Sequence, residues 1–419
     1  MKHRQADENS EYTADQTHTP TDSLAWMDAE LDELQARQQV RSLRETAVTA
    51  AGWLDVEGKR LLHLASNDYL GLSMAENDWP EPSPAARLLG SGASRLITGH
   101  YPAYARLEEE FAAFKQAEAC LVFSSGYMAN IGVISSLVGR NDEVFSDRYN
   151  HASIVDGMLL SRAKLHRYKH GDMNHLESLL KKANPNGKKL IVSDSIFSMD
   201  GTMVPLKELV ELKHRYGAML MIDEAHSSGL YGPEGAGLIH EMGLQDDIEI
   251  QMGTFSKAYG GYGAYITGSR RLIRYLTNHA RSLIYTTALP PVVVEMNRYN
   301  VRRSRQEPWR RERLNELSGW FRHQLKGMGF DTGNSVCQII PVMTGSNEKA
   351  LQFSRELHQR GIAGVAIRPP TVPAGSARIR FTLTAVHERA DLTWALEQME
   401  EAGHACGLIS SQTDRADHV

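Results

Sequence analysis

Short apolar runs alternate with helix-length amphipathic stretches through the middle of the chain. Each run has the length of a buried strand, and a helical stretch follows most of them. Short strands with helix-length connections form a mainly parallel sheet with helices on both faces. The predicted strands are residues 119–123, 142–147, 189–195, 218–223, 248–253 and 264–268, and the predicted helices are 127–138, 151–161, 173–183, 205–216 and 269–279.

The patterns on either side of this region differ from it. Leu24, Met27, Leu31 and Leu34 recur near helical spacing, which predicts a helix over 24–48. After the α/β region, shorter strands and helices suggest a smaller α+β domain. The remaining predicted elements are a strand running into a turn at 60–73, a Gly- and Ser-rich segment at 86–100, helices at 104–116, 290–328, 347–360 and 387–402, and strands at 336–343 and 377–384.

These patterns divide the chain into five predicted segments. They are a disordered leader (1–22), a helix-and-strand segment (23–70), a large α/β domain (71–300), a C-terminal α+β domain (301–405) and a tail (406–419).

Composition and charge restrict the class of protein. The 419 residues are 42% hydrophobic and 23% charged, an ordinary globular composition. A net charge of −5 argues against general nucleic-acid binding. Cys120, Cys337 and Cys406 form no CxxC pair and fit a reducing compartment. No apolar run approaches the ~20 residues of a membrane span, and the polar start is not a secretory signal. We therefore expect a cytoplasmic protein without a nucleic-acid or membrane partner.

Lys257 is the most informative residue of the sequence. It lies in GTFSKAYGGYG at 253–263, among small and hydroxylated residues that rarely surround a solvated lysine. Such neighbours would let backbone and hydroxyl groups crowd around a bound anion while the amine reaches a carbonyl. A Schiff-base lysine is one interpretation, and an ordinary loop lysine is the other.

Asp223 ends an apolar predicted strand, where α/β sheets place ligand-binding groups, and His226 follows in the tetrapeptide DEAH. A helicase would also need a GxxxxGK[ST] loop, and the Gly-Lys pairs at 58–59 and 187–188 lack both the upstream glycine and the following hydroxyl. A buried Asp can instead keep a pyridine nitrogen protonated, so that the ring acts as an electron sink. His226 could then hydrogen-bond a ring hydroxyl. The alternative is a structural Asp that caps a helix start.

Two further segments suggest contacts to the same kind of cofactor. The stretch 124–136 follows a strand and opens a helix, so the amides of Gly126 and Tyr127 would point at a phosphate, although plain helix capping gives the same pattern. His151 lies in the polar turn SDRYNHAS at 146–153. It could stack on a cofactor ring or be a simple turn residue.

The remaining candidates are a serine and two arginines. Ser198 lies in SDSIFSMDG at 193–201, which is either a cofactor contact or a turn. Arg378 and Arg380 follow a Pro-rich loop and alternate with apolar residues, so both point to one face of a strand. A guanidinium is well suited to bind an α-carboxylate, because its planar N–H donors match the two carboxylate oxygens. The alternative, for one of the pair, is a solvent-facing arginine on an edge strand.

The order of these segments resembles the α-oxoamine synthase family of pyridoxal 5'-phosphate (PLP) enzymes, over about residues 24–402. The resemblance implies the α/β fold of type I PLP-dependent transferases. In that fold a mainly parallel seven-stranded sheet lies between helices, next to a smaller α+β C-terminal domain. The motifs that carry it are SNDYLGL (66–72), GSGASRLITG (90–99), SDRYNHAS (146–153), FSMDG (197–201), IDEAHSSG (222–229), GTFSKA (253–258) and IYTTALPP (284–291).

The resemblance assigns roles to cofactor-binding residues. It implies PLP bound covalently at Lys257, with Asp223 on the pyridine nitrogen, His226 on the ring hydroxyl and His151 stacked on the ring. It also implies that Lys257, His151 and Asp223 take part in catalysis. The further cofactor contacts that it implies are Ser198, Thr254, the amides of Gly126 and Tyr127 and, across a homodimer interface, Thr287 or its neighbour Thr286.

The same resemblance assigns the substrate side. Arg380 matches the carboxylate-binding position, Thr371 and His151 match substrate contacts, and Arg44 loosely matches an arginine near the acyl chain. Arg37 and Arg41 compete with Arg44 for that last role.

Within the family, the stretch IRPPTVPAGSARIR at 367–380 is most similar to members that condense L-alanine with a pimeloyl thioester. The acyl group could be carried on CoA or on an acyl carrier protein. One alternative is a sister enzyme that uses glycine. The other is an inactive scaffold subunit, but such subunits typically lose the lysine that Lys257 matches.

Overall fold

The structure of the chain is a computed structural model that describes residues 22–74 and 88–410. The predicted leader before residue 22, the tail beyond residue 410 and the start of the Gly- and Ser-rich segment lie outside these residues. The described residues up to Leu43 form one unit, and those from Arg44 onward form another. The predicted boundary near residue 300 stays a prediction.

The first unit contains helix α1 (Trp26–Ala36), in which no side chain is buried. The predicted helix over 24–48 is therefore wrong in extent, because residues Thr46–Ala50 form strand β1. Thr46, Val48 and Thr49 are β-branched, and such residues favour strands over helices.

The second unit begins with a four-stranded sheet. Strands β1, β2 (Trp53–Val56) and β3 (Lys59–His63) are antiparallel, and a short strand from the C-terminal region, β12 (Ile362–Ala363), pairs with β3 in parallel. The predicted strand from residue 60 thus ends at His63.

A seven-stranded sheet forms the centre of the second unit, as predicted. Its order is β4-β10-β9-β8-β7-β5-β6, and β10 alone runs in the direction opposite to the other six strands. Strand β6, absent from the sequence-based prediction, lies at the sheet edge, where its Lys164, His166 and Arg167 interrupt the apolar pattern. The strands are β4 (Ala119–Phe123), β5 (Glu143–Asp147), β6 (Lys164–Tyr168), β7 (Lys189–Asp194), β8 (Met219–Asp223), β9 (Ile250–Thr254) and β10 (Ala264–Gly268).

Alternate residues of the central strands face two apolar layers. Leu190 and Val192 of β7 pack in one cluster with Val133, whereas Ile191 packs in another cluster with Leu209. Helices therefore cover both faces of the sheet. The helices of this region are α2 (Pro102–Phe114), α3 (Gly126–Leu137), α4 (Ala152–Ser161), α5 (Met173–Leu180), α6 (Leu206–Tyr216), α7 (Leu238–Glu241), α8 (Arg270–His279) and α9 (Arg281–Ile284), with a π-helical turn at Arg95–Gly99.

The predicted long helix over 290–328 is two helices, α10 (Pro291–Gln306) and α11 (Trp309–Met328). The break falls at Pro308, which lacks an amide hydrogen and restricts the backbone of Glu307 before it. Within the described residues, no helix is both long and apolar enough to cross a bilayer.

A three-stranded antiparallel sheet completes the C-terminal part. Its order is β11-β14-β13, with β11 at Ile339–Gly345, β13 at Val365–Ile367 and β14 at Ala377–Thr382. Helices α12 (Asn347–Gln359) and α13 (Arg389–Ala405) accompany it. Because β14 is the middle strand, both of its neighbours fix its register.

Candidate active site

Polar side chains end four neighbouring strands of the seven-stranded sheet. Asp147, Asp194, Asp223 and Thr254 are the last residues of β5, β7, β8 and β9. These strands are parallel, so their carboxyl ends meet at one edge, the usual position of ligand sites in such sheets.

Asp223 is buried and held by two donors. Its Oδ2 accepts a 2.8 Å hydrogen bond from Asn130 Nδ2, and its Oδ1 accepts one of 2.9 Å from the backbone of Ala225. No helix follows directly, so the helix-cap alternative is wrong. These bonds hold a carboxylate in a fixed orientation at the sheet edge.

Asp194 lies beside Asp223, directly across the parallel ladder. Its Oδ2 accepts a 2.9 Å hydrogen bond from the backbone N–H of His151. Burial raises the pKa of Asp194 well above its ordinary value, and the negative charge of Asp223 adds to that effect. Burial thus disfavours the charged form of Asp194, the carboxyl next to Asp223.

Lys257, His226 and Tyr69 form a hydrogen-bonded chain. Lys257 Nζ lies 2.9 Å from His226 Nε2, and His226 Nδ1 lies 2.7 Å from the hydroxyl of Tyr69. Burial lowers the pKa of Lys257 to about 8, although Asp223 and Asp194 oppose it. Burial also lowers the pKa of His226 well below its ordinary value, and the charge of Lys257 adds to the shift. A neutral imidazole thus faces an amine whose pKa is about 8.

His151 begins helix α4 and is linked to Asp223 through two side chains. Its Nδ1 lies 2.7 Å from Ser153 Oγ, and Asn130 Nδ2 donates to that same Oγ at 2.9 Å. The ring itself keeps solvent access, while the surrounding walls desolvate it and lower its pKa. An exposed, oriented imidazole face is suited to stacking on a planar ligand.

The start of α3 is the predicted phosphate-binding site. Ser125 caps the helix and accepts from the backbone of Met128 at 3.2 Å, and Gly126 and Tyr127 are the first helical residues. The first N–H groups of a helix lack intrahelical acceptors and attract anions. The side chain of Tyr127 points away, since its hydroxyl donates to Asp156. Its backbone amide therefore remains the candidate contact.

Thr254 is buried and its hydroxyl is engaged. Oγ1 donates to the carbonyl of Gly263 at 2.7 Å and accepts from the backbone of Ser256 at 3.1 Å. It shapes the turn before Lys257, and its role as a phosphate contact stays a prediction.

Arg380 reaches the same region from the C-terminal sheet. Its Nη2 donates to Asn67 Oδ1 at 3.0 Å and to the hydroxyl of Tyr69 at 3.3 Å, and its Nε donates to the carbonyl of Ser198. Both Arg378 and Arg380 are buried in a middle strand, so the edge-strand alternative is wrong. Through Tyr69, the guanidinium is connected to His226 and on to Lys257.

Three of the predicted site residues are exposed. Arg44 is exposed just before β1, Thr371 is exposed in the Pro-rich loop, and Thr287 is exposed and bridges to Ser94. Among the hydrogen bonds and ion pairs of the described residues, none ties these three to Lys257, and their roles stay predictions. Arg37 and Arg41 belong to the separate unit that ends at Leu43.

Four residues of the cluster were missed as individual candidates. Asn130 stands alone as an amide in the apolar stretch of α3, and Asp194 ends a strand just as Asp223 does. Both signals are visible in the sequence. Asn67 and Tyr69 fall within SNDYLGL, but their contacts to Arg380 depend on residues more than 300 positions away.

The residues present fit PLP. A fixed carboxylate at Asp223 suits a pyridinium nitrogen, the helix start at Gly126 suits a phosphate, and Lys257 offers an amine of lowered pKa for an imine. His151 supplies a ring face nearby. By contrast, the described residues include no group of three or more His, Cys, Asp and Glu that could hold a metal ion.

Comparison with known proteins agrees with the fold and with PLP as the cofactor. The family model for class I and II aminotransferases matches residues 59–399, and the chain belongs to that family. A serine palmitoyltransferase from S. paucimobilis, solved with a bound PLP–myriocin aldimine, superposes with a TM-score of 0.85 at 30% identity, covering 92% of this chain and 98% of that one. The predicted fold is thereby confirmed.

More similar relatives narrow the class. A Geobacillus kaustophilus protein provisionally named 8-amino-7-oxononanoate synthase is 51% identical over 383 residues, which cover 91% of this chain and 98% of that protein. A Halalkalibacterium halodurans protein of the same provisional name is 50% identical, over 90% and 96% of the two chains. The solved 8-amino-7-oxononanoate synthase from Francisella tularensis has 29% identity and a TM-score of 0.70, over 81% and 97%. The chain is a PLP-dependent acyltransferase of the α-oxoamine synthase type, as the resemblance implied.

Proposed function

We propose that this enzyme condenses L-alanine with a pimeloyl thioester, with loss of CO₂, to form 8-amino-7-oxononanoate for biotin synthesis. The observation that carries the proposal is the Lys257 amine, of pKa about 8, placed 2.9 Å from His226 beside the fixed carboxylate of Asp223. The identity of about 50% to relatives provisionally named for this reaction supports the choice of substrates.

PLP, held at Lys257 until the alanine amine takes the place of that lysine, would supply an electron sink for the electron pair left on the alanine α-carbon, and the exchange would leave the Lys257 amine free. Asp223 would hold the proton on the pyridine nitrogen, and the amides at the start of α3 would hold the phosphate. His226 would donate to or accept from the ring hydroxyl, since its Nε2 already faces Lys257. Thr254 and Ser198 would complete the surroundings of the cofactor.

The chain's own groups then handle charge and protons. Arg380 would orient the alanine carboxylate, and Lys257 would take the α-proton and later return one to the same carbon. A new bond joins the α-carbon to the pimeloyl carbonyl carbon, the thiol leaves, and the alanine carboxylate departs as CO₂. A lysine with a lowered pKa suits both proton transfers, because a useful fraction is neutral near physiological pH.

The test is a product assay with purified, PLP-loaded protein. L-alanine, glycine and L-serine would each be combined with pimeloyl-CoA and with pimeloyl-acyl carrier protein, and products would be identified by mass. The proposal expects 8-amino-7-oxononanoate from L-alanine with at least one thioester. Turnover with glycine alone would instead indicate the glycine-using sister activity, and no turnover with any pair would favour the scaffold alternative.

We propose in addition a cytoplasmic homodimer in which Thr287 or Thr286 of one subunit reaches the other subunit's phosphate site. Light scattering of the purified protein would measure the mass of the assembly. Mixed dimers of Lys257→Ala and Thr287→Val subunits would test the shared site, because only a cross-subunit contact predicts that one intact site per dimer is recovered. The same experiment with Thr286→Val separates the two threonines, and Arg44→Met would test the acyl-side role through the KM for the thioester.

A further inference from the structure

Arg378 is a buried candidate arginine to which the family resemblance assigns no role. Only 2% of it is exposed, yet it lies two positions from Arg380 on the middle strand β14 and points to the same face. A buried guanidinium is stable only when its donors are satisfied. The partners of Arg378 therefore indicate what it holds in place.

Those partners lie mainly in one turn of the large α/β region. Nη1 of Arg378 forms an ion pair with Asp200 at 2.5 Å and donates to the carbonyl of Met199 at 3.1 Å. Its Nε donates locally to the carbonyl of Ser376 at 2.9 Å. Arg380 donates to the carbonyl of Ser198 in the same turn. Two arginines of one strand thus bind three consecutive residues, 198–200, through hydrogen bonds and an ion pair.

The turn itself leaves little freedom. Gly201 has a φ of +67°, and a Cβ there would lie 2.2 Å from the carbonyl oxygen of Ile339 at the start of β11. On the other side, Thr202 Oγ1 lies 2.9 Å from His170 Nε2, and His170 pairs with Asp147 at the end of β5. The turn is therefore held between the strand ends of the seven-stranded sheet and the C-terminal sheet.

We propose that Asp200 and Arg378 form a positioning pair that locks the 198–200 turn onto β14 and so fixes the guanidinium of Arg380 where a substrate carboxylate binds. The inference deepens the proposed function, on which it rests for the role of Arg380. Neither member of the pair needs to touch substrate. Bidentate or clustered guanidinium contacts give directional precision that a lysine cannot supply.

The experiment compares amino acids with the amino alcohols that lack the carboxylate. L-alanine, glycine and L-serine, and separately L-alaninol, would be titrated into PLP-loaded protein, with binding followed by the change in cofactor absorbance. Arg378→Lys and Asp200→Ala should each weaken binding of the amino acids by about tenfold or more, while L-alaninol binding changes less than about twofold. Asp200→Asn keeps an oxygen acceptor and should lie between wild type and Asp200→Ala.

A matched control separates positioning from general stability. Arg298 is also paired and mostly buried, but its partners are Glu110 and Glu295 on α2 and α10. Arg298→Lys should lower the melting temperature without changing the preference for alanine over alaninol. Equal losses for both ligands in the Arg378 and Asp200 variants, or an unchanged preference in folded Asp200→Asn and Asp200→Ala, would overturn the inference. So would the absence of any carboxylate preference in wild type.

Failure of the proposed function gives a different result. If wild type prefers amino acids over alaninol but yields product only from glycine or serine, L-alanine is not the substrate. The positioning role of Asp200 and Arg378 is then still tested by the binding measurements on their variants.

Discussion

The seven-stranded sheet and the C-terminal sheet hold buried charge in different ways. On the seven-stranded sheet, Asp194 and Asp223 end adjacent strands and accept hydrogen bonds from nearby amides. On the C-terminal sheet, Arg378 and Arg380 lie within a strand and donate to a turn about 180 positions away in the chain. Strand ends allow polar groups to meet a ligand directly, whereas a mid-strand arginine needs a partner segment that folds onto it. The predicted cofactor side is therefore built within one sheet and the helices that follow its strands. The predicted substrate side depends on the packing of the C-terminal sheet against a turn of the α/β region.

The largest effect should come from the centre of the cofactor side. In the proposed mechanism Lys257 binds the cofactor and moves the α-proton, so turnover of Lys257→Ala should fall by more than about a thousandfold. Mass spectrometry after borohydride reduction should show PLP attached to wild type but not to the variant. Lys207→Ala, at an exposed position in the first turn of α6, is the control and should keep full activity. Near-normal turnover of Lys257→Ala would refute the assignment.

Two strand-end carboxylates allow a sharper comparison. Asp223→Asn should lower kcat by about 10²–10³-fold, because a neutral amide cannot stabilise a protonated pyridine. Asp147→Asn, at the end of β5, should lower it less than about tenfold, since Asp147 contacts His170 instead of the predicted cofactor residues. Steady-state kinetics and melting curves of both variants check this order. Equal losses would show that the strand ends matter through stability alone.

On the substrate side, Arg380→Lys should act on binding more than on chemistry. Loss of the planar guanidinium should raise the KM for L-alanine by about 10–100-fold, with a smaller change in kcat. Absorbance of the PLP-loaded variant should match wild type, since the cofactor residues are intact. A fall in kcat with an unchanged KM would place Arg380 on the cofactor side of the comparison.

The lowered pKa of Lys257 should also make the free energy of unfolding of the apoprotein depend on pH. Because its folded pKa is about 8 against an ordinary 10.5, the unfolded chain binds more protons between these values. The free energy of unfolding should therefore rise with pH across that window, and this contribution is lost as pH falls through about 8. Lys257→Met should melt higher than wild type near pH 7, with a gain that shrinks toward pH 10. A gain independent of pH would contradict the lowered pKa.

The smallest effect is expected at Asp194. Its raised pKa favours the protonated acid, so the uncharged Asp194→Asn resembles the native state and can still accept from the His151 amide. Activity should change less than about threefold. Asp194→Ala, which removes the acceptor, should lose more. A large loss in Asp194→Asn would mean that the charged form matters.

The contrast between the two sheets also explains which parts of the site could be predicted from the sequence. Strand ends such as Asp223 and helix starts such as Gly126 follow from local patterns, and the structure places both at the predicted edge of the sheet. The partners of Arg378 and Arg380 could not be predicted, because they depend on the register of β14 and on packing against a distant turn. Strand β6 was missed because its outer positions are charged, and the break at Pro308 was overlooked within a strongly helical pattern.

The close approach of Gly201 to Ile339 has a consequence for engineering. A library that varies residue 201 to change the amino-acid substrate would mostly yield misfolded or loosened proteins, because the backbone there is left-handed and no side chain fits. Diversity is better introduced at Thr371, in the exposed Pro-rich loop, which has space around it and lies outside the turn that both arginines hold.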